Sequence, residues 1–599
     1  MKVKVSDYIA QYLAEKSITY VFSVVGGGAM YLNDSFGNNK NLTCIYCHHE
    51  QACAIAAEGY YRVNNSPAAV CVTTGPGGTN AITGVLGSWL DGLPMIVISG
   101  QVRYETCARS TGLPLRAMGD QEFDITKAIS SMTKYCEMII DKTKIKYALD
   151  KAFFYALNGR PGPVWLDIPL DVQGAIIETD DLESFEGVKE NNTVTDETVD
   201  RIIDLINCSK RPVINAGSAI RTSDAKPIFD ILVKRLGIPV VTGWNSIDLI
   251  ATDNPYYVGR AGIMGDRAGN FAIQNSDLIL SLGSRLSIRQ VGYNFESWAR
   301  EAFVIDVDID ESELKKPTIH VDLPICCDVK TVIEKLNSKL KNMLIESKEE
   351  WVLQCLKWKR NYPVTQKKHY DSKQVNVYAF IDTLSKNLSS DSLTVVGNGS
   401  ACVVGSQSYV IKEKSKFIIN SAVASMGYDL PAAVGACFAN GKKDVVCVTG
   451  DGSIQMNLQE LQTIIHHKLP IKIFIINNGG YHSIRQTQNN LFAGRLVGIG
   501  NDSSDLSFPC MEKIAFAYGF PYFKITETKD LDSKIKQVLS SEGNSITEVF
   551  VTIEQNFEPK SSSKIGDDGK IYSPPIEDMF PFLPPDELKD NMIIPLWEK

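Results

Sequence analysis

Val445-Val446-Cys447-Val448-Thr449-Gly450-Asp451-Gly452-Ser453 is followed, one helix-length later, by Ile471-Lys472-Ile473-Phe474-Ile475-Ile476-Asn477-Asn478-Gly479-Gly480. These two segments decide how the chain is read. Each is a short continuous apolar run that stops at glycine and a polar oxygen side chain. Such runs read as strands buried on both faces of a sheet. The segment between them, with Leu458, Leu461, Ile464 and Ile465, has the apolar spacing of a helix lying on that sheet. Ligands in open α/β sheets bind at the carboxyl ends of strands, where both polar turns fall. Gly450 and Gly452 let backbone approach a phosphate, and the helix after Ser453 offers free N–H groups. Asp451 and Asn478 are hard oxygen ligands of the kind Mg²⁺ takes beside phosphate oxygens.

The same grammar extends outward. Ala69–Val72, Pro94–Ile98, Val164–Ile168 and Asp277–Leu282 also read as buried strands separated by helical stretches. The expectation is an α/β protein with parallel sheets covered on both faces. Cys71-Val72-Thr73-Thr74-Gly75 runs through a helix-length segment to Leu93-Pro94 and a strand; Cys447-Val448-Thr449-Gly450 runs likewise to Leu469-Pro470. This weak repeat predicts two related domains flanking a third. The polar stretches 180–197 and 347–374 read as boundaries, the second carrying Trp351, Trp358 and Tyr362, so it is expected to pack along the domains. From Asn556 the chain is rich in proline and is expected to be irregular.

Composition narrows the function. The 599 residues carry 61 Lys+Arg against 70 Asp+Glu, a net charge of −9, which gives no support to nucleic-acid binding. No apolar run approaches the ~20 residues that span a bilayer. Met1 to Phe22 is interrupted by Asp7, Glu15 and Lys16 and reads as an amphipathic helix rather than a signal peptide. The 14 Cys are scattered; the lone CxxC, Cys44 to Cys47, has no second pair for zinc and reads as a strand. Reduced thiols in a cytoplasmic protein are expected. His466-His467 reads as an exposed helical pair, not a metal site.

Gly450-Asp451-Gly452-Ser453 with Asn477-Asn478 resembles the thiamine diphosphate (ThDP) motif, which implies metal ligation by Asp451, Asn478 and the Gly480 carbonyl. His48-His49-Glu50-Gln51-Ala52 through Ala56-Ala57-Glu58-Gly59-Tyr60 resembles the acetolactate synthase family. There the matching glutamate interacts with the coenzyme's pyrimidine nitrogen; read alone, Glu50 is a favourable carboxylate at a helix N-terminus. Gly26-Gly27-Gly28, Thr74-Gly75 with Asn80, Gly100-Gln101-Val102 and Ser425-Met426-Gly427-Tyr428-Asp429 extend the likeness over nearly the whole chain. The resemblance implies three doubly wound parallel-sheet domains. They are a pyrimidine-binding domain (1–180), a central domain (198–345) and a diphosphate- and Mg²⁺-binding domain (370–555). A tail (556–599) follows, a candidate cover for the active site. Met426 would support the bent coenzyme. The implied assembly is a homodimer or homotetramer, with Glu50 of one chain facing Asp451 of another.

The central domain of acetolactate synthase holds FAD without redox work; some relatives leave it empty or bind ADP. Arg285 and Arg289 match flavin-contacting arginines, whereas Ser287 stands where the family has Asp. In the family a 2-oxo acid, here expected to be pyruvate, is decarboxylated and its two-carbon unit is passed to an acceptor. Thr487 stands where acetolactate synthases carry a Trp that recognises a second 2-oxo acid, and Asp429 where they carry Gly. Both features and the tail look like the branched-sugar (yersiniose-type) carboligases, whose acceptor is a nucleotide-linked ketosugar. Alternatives are acetolactate synthase itself, an acyl-CoA decarboxylase, or a catalytically silent ThDP-fold subunit. His482 is a candidate proton mover at the acceptor or a solvent-facing loop residue. His49 and Gln121 are candidate pocket residues, and His48 a strand cap.

Overall fold

The computed structural model describes residues 1–189, 192–343, 345–565 and 569–597. Three six-stranded sheets, every pairing in them parallel, carry the chain. The first runs Thr43–Tyr46, Tyr20–Ser23, Ala69–Val72, Met95–Gln101, Pro163–Pro169, Tyr135–Met138; counted along the chain this is the order 2-1-3-4-6-5. The third runs Lys416–Ile418, Leu393–Val396, Val445–Gly450, Ile471–Asn477, Ser545–Phe550, Tyr522–Ile525, again 2-1-3-4-6-5. The middle sheet differs. Tyr257–Arg260, Val240–Thr242, Pro212–Ala216, Leu278–Leu282, Phe303–Asp308 and Leu323–Cys326 stand in the order 3-2-1-4-5-6 of dinucleotide-binding sheets. The repeated Gly-turn-to-Leu-Pro unit therefore lies in two sheets of one topology that flank a sheet of another.

The first and third domains meet through small residues. Helices Glu50–Asn64 and Asp429–Ala439 cross so closely that a Cβ on Gly59 would strike the Ala432 backbone, and one on Gly435 the Ala56 carbonyl. Ala52 through Ala57 and Leu430 through Ala436 share one buried cluster, which accounts for the alanine-rich sequence.

A buried polar group then ties in the middle domain. Arg62 lies 2.7 Å from Glu58 and also pairs with Asp91, which accepts the Asn245 amide at 3.0 Å. Glu58 further accepts the Tyr428 hydroxyl at 3.1 Å and the Asn420 amide at 3.2 Å. Two carboxylates out of water are tolerable because Arg62 and neutral donors surround them.

The linker helix Glu349–Asn361 packs Trp351 and Trp358 into the middle domain, as expected from its aromatics. The tail starts on the third domain, where the Glu558 N–H meets the Tyr378 hydroxyl at 2.8 Å and Gln407 donates to the Pro559 carbonyl at 2.6 Å, and from Ile576 it docks on the middle domain. Ile576 and Met579 are buried, Glu577 sits 2.9 Å from Arg300 and accepts from Gln274 at 2.6 Å, and Asn591 accepts from Trp358 at 2.9 Å. A buried ion pair and a buried aliphatic anchor outweigh the irregularity that proline imposes.

Near the N-terminus, helix Val5–Glu15 follows a short strand paired antiparallel with Ile176–Glu178. Among the described residues no helix is long and apolar enough to cross a membrane. Cys44 lies in a strand, and no group of three or more His, Cys, Asp or Glu could hold a metal there or elsewhere among those residues.

Candidate active site

The two polar turns lie at the ends of adjacent parallel strands, as the sequence predicts. Strand Val445–Gly450 ends at Asp451, whose Oδ1 accepts the Gly452 N–H at 3.0 Å and whose Oδ2 accepts the Gly480 N–H at 2.9 Å. The carboxyl thus bridges the two motifs. Burial raises its pKa to about 7. Asn478 donates to Ser400 at 3.2 Å, while its buried Oδ1 has no partner. An orphaned buried acceptor beside a buried carboxyl is the donor set a hard cation satisfies. Gly480 needs a glycine: its φ is +131°, and a Cβ would strike the Ile499 carbonyl. Its own carbonyl accepts from the His482 amide at 3.0 Å, leaving a second lone pair.

Sequence reasoning missed the residue that braces this turn. Arg485, 3% exposed, donates to the Asn478 carbonyl at 3.0 Å and the Gly479 carbonyl at 3.1 Å, and pairs with Asp502 at 2.9 Å. Of the two readings of His482, the solvent-facing loop residue is corrected. It starts helix His482–Leu491, is 6% exposed, and has Nε2 2.9 Å from the Gln555 carbonyl and Nδ1 3.2 Å from Arg485. Burial lowers its pKa, and the Gln555 bond fastens the turn to the last residue of the third domain.

The pyrimidine half gathers at the ends of the first sheet's strands. Glu50 begins its helix, is 9% exposed, and accepts the Asn80 amide at 3.0 Å. Gly26 and Gly28 press against Thr73 and Thr74, the Gly28 N–H meeting Thr73 at 3.1 Å, while Gly27 faces open space. Gly75, at φ +61°, backs onto the Gln121 carbonyl, which also accepts from Thr74 at 3.3 Å. The Gln121 backbone is therefore beside the Thr74–Gly75 turn, while its side chain is exposed. His49 is the helix cap, its Nδ1 accepting from Gln51 at 3.1 Å. His48 is exposed and caps no strand; its N–H reaches Glu460 at 3.0 Å.

The two halves touch within the chain. Asn457 donates to Gln51, next to Glu50, at 3.2 Å, and to the Gly427 carbonyl at 2.7 Å, next to half-buried Met426. The Ser453 hydroxyl accepts from Gly427 at 3.0 Å and donates to fully buried Asp429 at 2.9 Å.

Asp167 underlies the pyrimidine half. It accepts from Ser99 at 2.6 Å and Gln101 at 3.0 Å, and Gln101 in turn holds Thr74. Burial raises its pKa to about 7. Between the unfolded value of about 4 and 7 the folded chain binds more protons than the unfolded chain, so this site's stability falls as pH rises. Asp167→Asn removes that dependence. Its melting temperature should gain on wild type between pH 5 and pH 7, and a pH-independent difference would contradict the assignment.

In the middle domain, Gly217 and Gly283 end the adjacent strands at which the sheet order reverses, and a Cβ on Gly217 would strike the Gly283 carbonyl. A cavity of about 240 Å³ opens there, lined by Arg285, Arg289, Trp244, Asp308 and, from the first domain, Asp91 and Arg160. Arg289 stacks over Trp244 at 4.4 Å, and Arg285 donates to the Leu90 carbonyl at 2.8 Å.

Comparison with known proteins agrees with this geometry. The N-terminal TPP binding domain of thiamine pyrophosphate enzymes matches residues 3–128, their central domain 199–336, and their C-terminal TPP binding domain 397–549. The chain is 30% identical to an acetolactate synthase large subunit of Cyanidium caldarium, over 91% of this chain and 93% of that protein. It is also 30% identical to the acetolactate synthase large subunit of Lactococcus lactis, over 94% and 96%. The large subunit of acetolactate synthase isozyme 3 of Escherichia coli is 28% identical over 92% and 94%.

Proposed function

Because the chain belongs to the thiamine diphosphate-dependent, acetolactate synthase-like family of enzymes, we propose that it decarboxylates pyruvate and joins the two-carbon unit to a nucleotide-linked 4-ketosugar, as in branched deoxysugar synthesis. Bound thiamine diphosphate supplies the nucleophilic carbon and stores the charge released by decarboxylation. Glu50, aimed by Asn80, holds a proton at the pyrimidine ring nitrogen. Asp451, Asn478 and Gly480 would hold Mg²⁺, which would supply positive charge for the diphosphate, with Gly450, Gly452 and Ser453 lining the turn. Gln121 flanks the substrate, and Met426 supports the coenzyme.

The observation that carries the acceptor assignment is Thr487. It is exposed on helix His482–Leu491, on one face with Ile484 at 49% and Leu491 at 67% exposure. A short side chain there leaves the acceptor side open to something larger than a second pyruvate. The middle-domain cavity, at the sheet's switch point, suits the adenine nucleotide part of FAD, held by Arg285 and Arg289 without redox work. Exposed Val25, Leu113 and Met118 near the pyrimidine half, and Met456 and Val497 near the diphosphate half, favour a homo-oligomer that covers them.

The second reading, acetolactate formation, is favoured by the names of the relatives. One competition separates them: ThDP, Mg²⁺, labelled pyruvate and a panel of nucleotide-linked 4-ketosugars, followed by mass spectrometry. An acetyl-sized gain on a sugar is expected. Labelled acetolactate with every sugar unchanged would return the chain to acetolactate synthesis.

A further inference from the structure

We infer that Asp429 is a positioning residue of the coenzyme site, acting through Ser453 to lock the Met426–Gly427 turn onto the diphosphate turn. Its carboxyl is fully buried at the start of helix Asp429–Ala439, with no ion-pair partner among the described residues. An isolated acid in that position is costly, so its retention calls for a function beyond packing. Each oxygen has a defined donor: Oδ1 takes the Leu430 N–H at 3.0 Å, and Oδ2 takes the Ser453 hydroxyl at 2.9 Å. With its proton committed to Asp429, the Ser453 oxygen faces the Gly427 N–H, which it accepts at 3.0 Å.

Gly427 is held on its other side by Asn457, which also holds Gln51 beside Glu50. One buried carboxyl thus sets the spacing between the metal turn and the turn that supports the middle of the coenzyme. The strand ending at Val396 accommodates it: a Cβ on Gly397 would run into Asp429 Oδ2. The role is independent of the acceptor and rests only on coenzyme seated at these turns. Thermal stabilisation of wild type by ThDP with Mg²⁺ tests that seating separately.

Asp429→Asn keeps the shape but supplies a single acceptor for two donors. Affinity for ThDP with Mg²⁺, read by intrinsic fluorescence, is expected to weaken about tenfold or more, as when groups supporting a metal site are removed. The melting temperature of the coenzyme-free protein is expected to fall by a few degrees at most, the cost of one buried donor left without its acceptor. Ser453→Ala should weaken ThDP binding similarly, and the double variant should match either single one within about twofold, because the two residues act as one unit. Unchanged ThDP affinity in Ser453→Ala, or fully additive losses, would overturn the inference. So would a lower melting temperature in Asp429→Asn with coenzyme affinity intact.

Discussion

Glu50→Gln is expected to lower carbon dioxide release from pyruvate by about 10²–10⁴-fold, the usual contribution of a positioned proton-transfer group. The substitution keeps an oxygen for the Asn80 amide, the bond that aims the side chain, and changes neither its length nor its burial. What it removes is the ability to hold and share a proton. ThDP affinity should therefore stay within a few-fold of wild type while the rate collapses. Initial rates at saturating coenzyme, beside a ThDP titration, separate the two quantities. Equal losses in both would mean that Glu50 contributes binding alone.

Asp451→Ala is expected to abolish the Mg²⁺ dependence of ThDP binding and to weaken it by at least about 100-fold. Partners that merely orient a metal's ligands cost up to about that much when lost, and a direct ligand should cost no less. The structure adds a second reason. Asp451 is the only described group that takes both the Gly452 and Gly480 amides, so its removal also unties the GDG turn from the NN turn. Calorimetric titration of ThDP with and without Mg²⁺ is the direct check; retention of a metal-dependent increment would move the cation site elsewhere.

Much of this was readable from the amino acids, and for a local reason. The strands that carry Asp451 and Asn478 are continuous β-branched and aromatic runs stopped by glycine, and Glu50 starts an unbroken alanine-rich helix. Pattern within a dozen residues is enough for such elements. The Leu-Pro units likewise pointed to two sheets of like topology. What stayed hidden depended on distant partners. Whether His482 faces solvent is decided by Gln555, 73 residues on, and where the tail docks around Glu577 is decided by Arg300, 277 residues away. Arg485 carries no local signal of its role; only the fold closes the Asn478 and Gly479 carbonyls around it. Neither charge pattern nor periodicity encodes such returns of the chain.

The Glu58–Arg62–Asp91 group bears on how the molecule comes apart. Its members belong to the first domain, yet Asn245 of the second and Tyr428 and Asn420 of the third complete its bonds. Pulling a neighbouring domain away leaves the ion pairs intact but removes neutral donors from these carboxylates, at about 0.5–1.5 kcal/mol per hydrogen bond. These shared bonds couple the three domains, and a single melting transition is the expected result. Motion that admits substrate is expected from smaller parts, such as the exposed loop from Thr111 to Gln121, whose loosening leaves the buried charges paired.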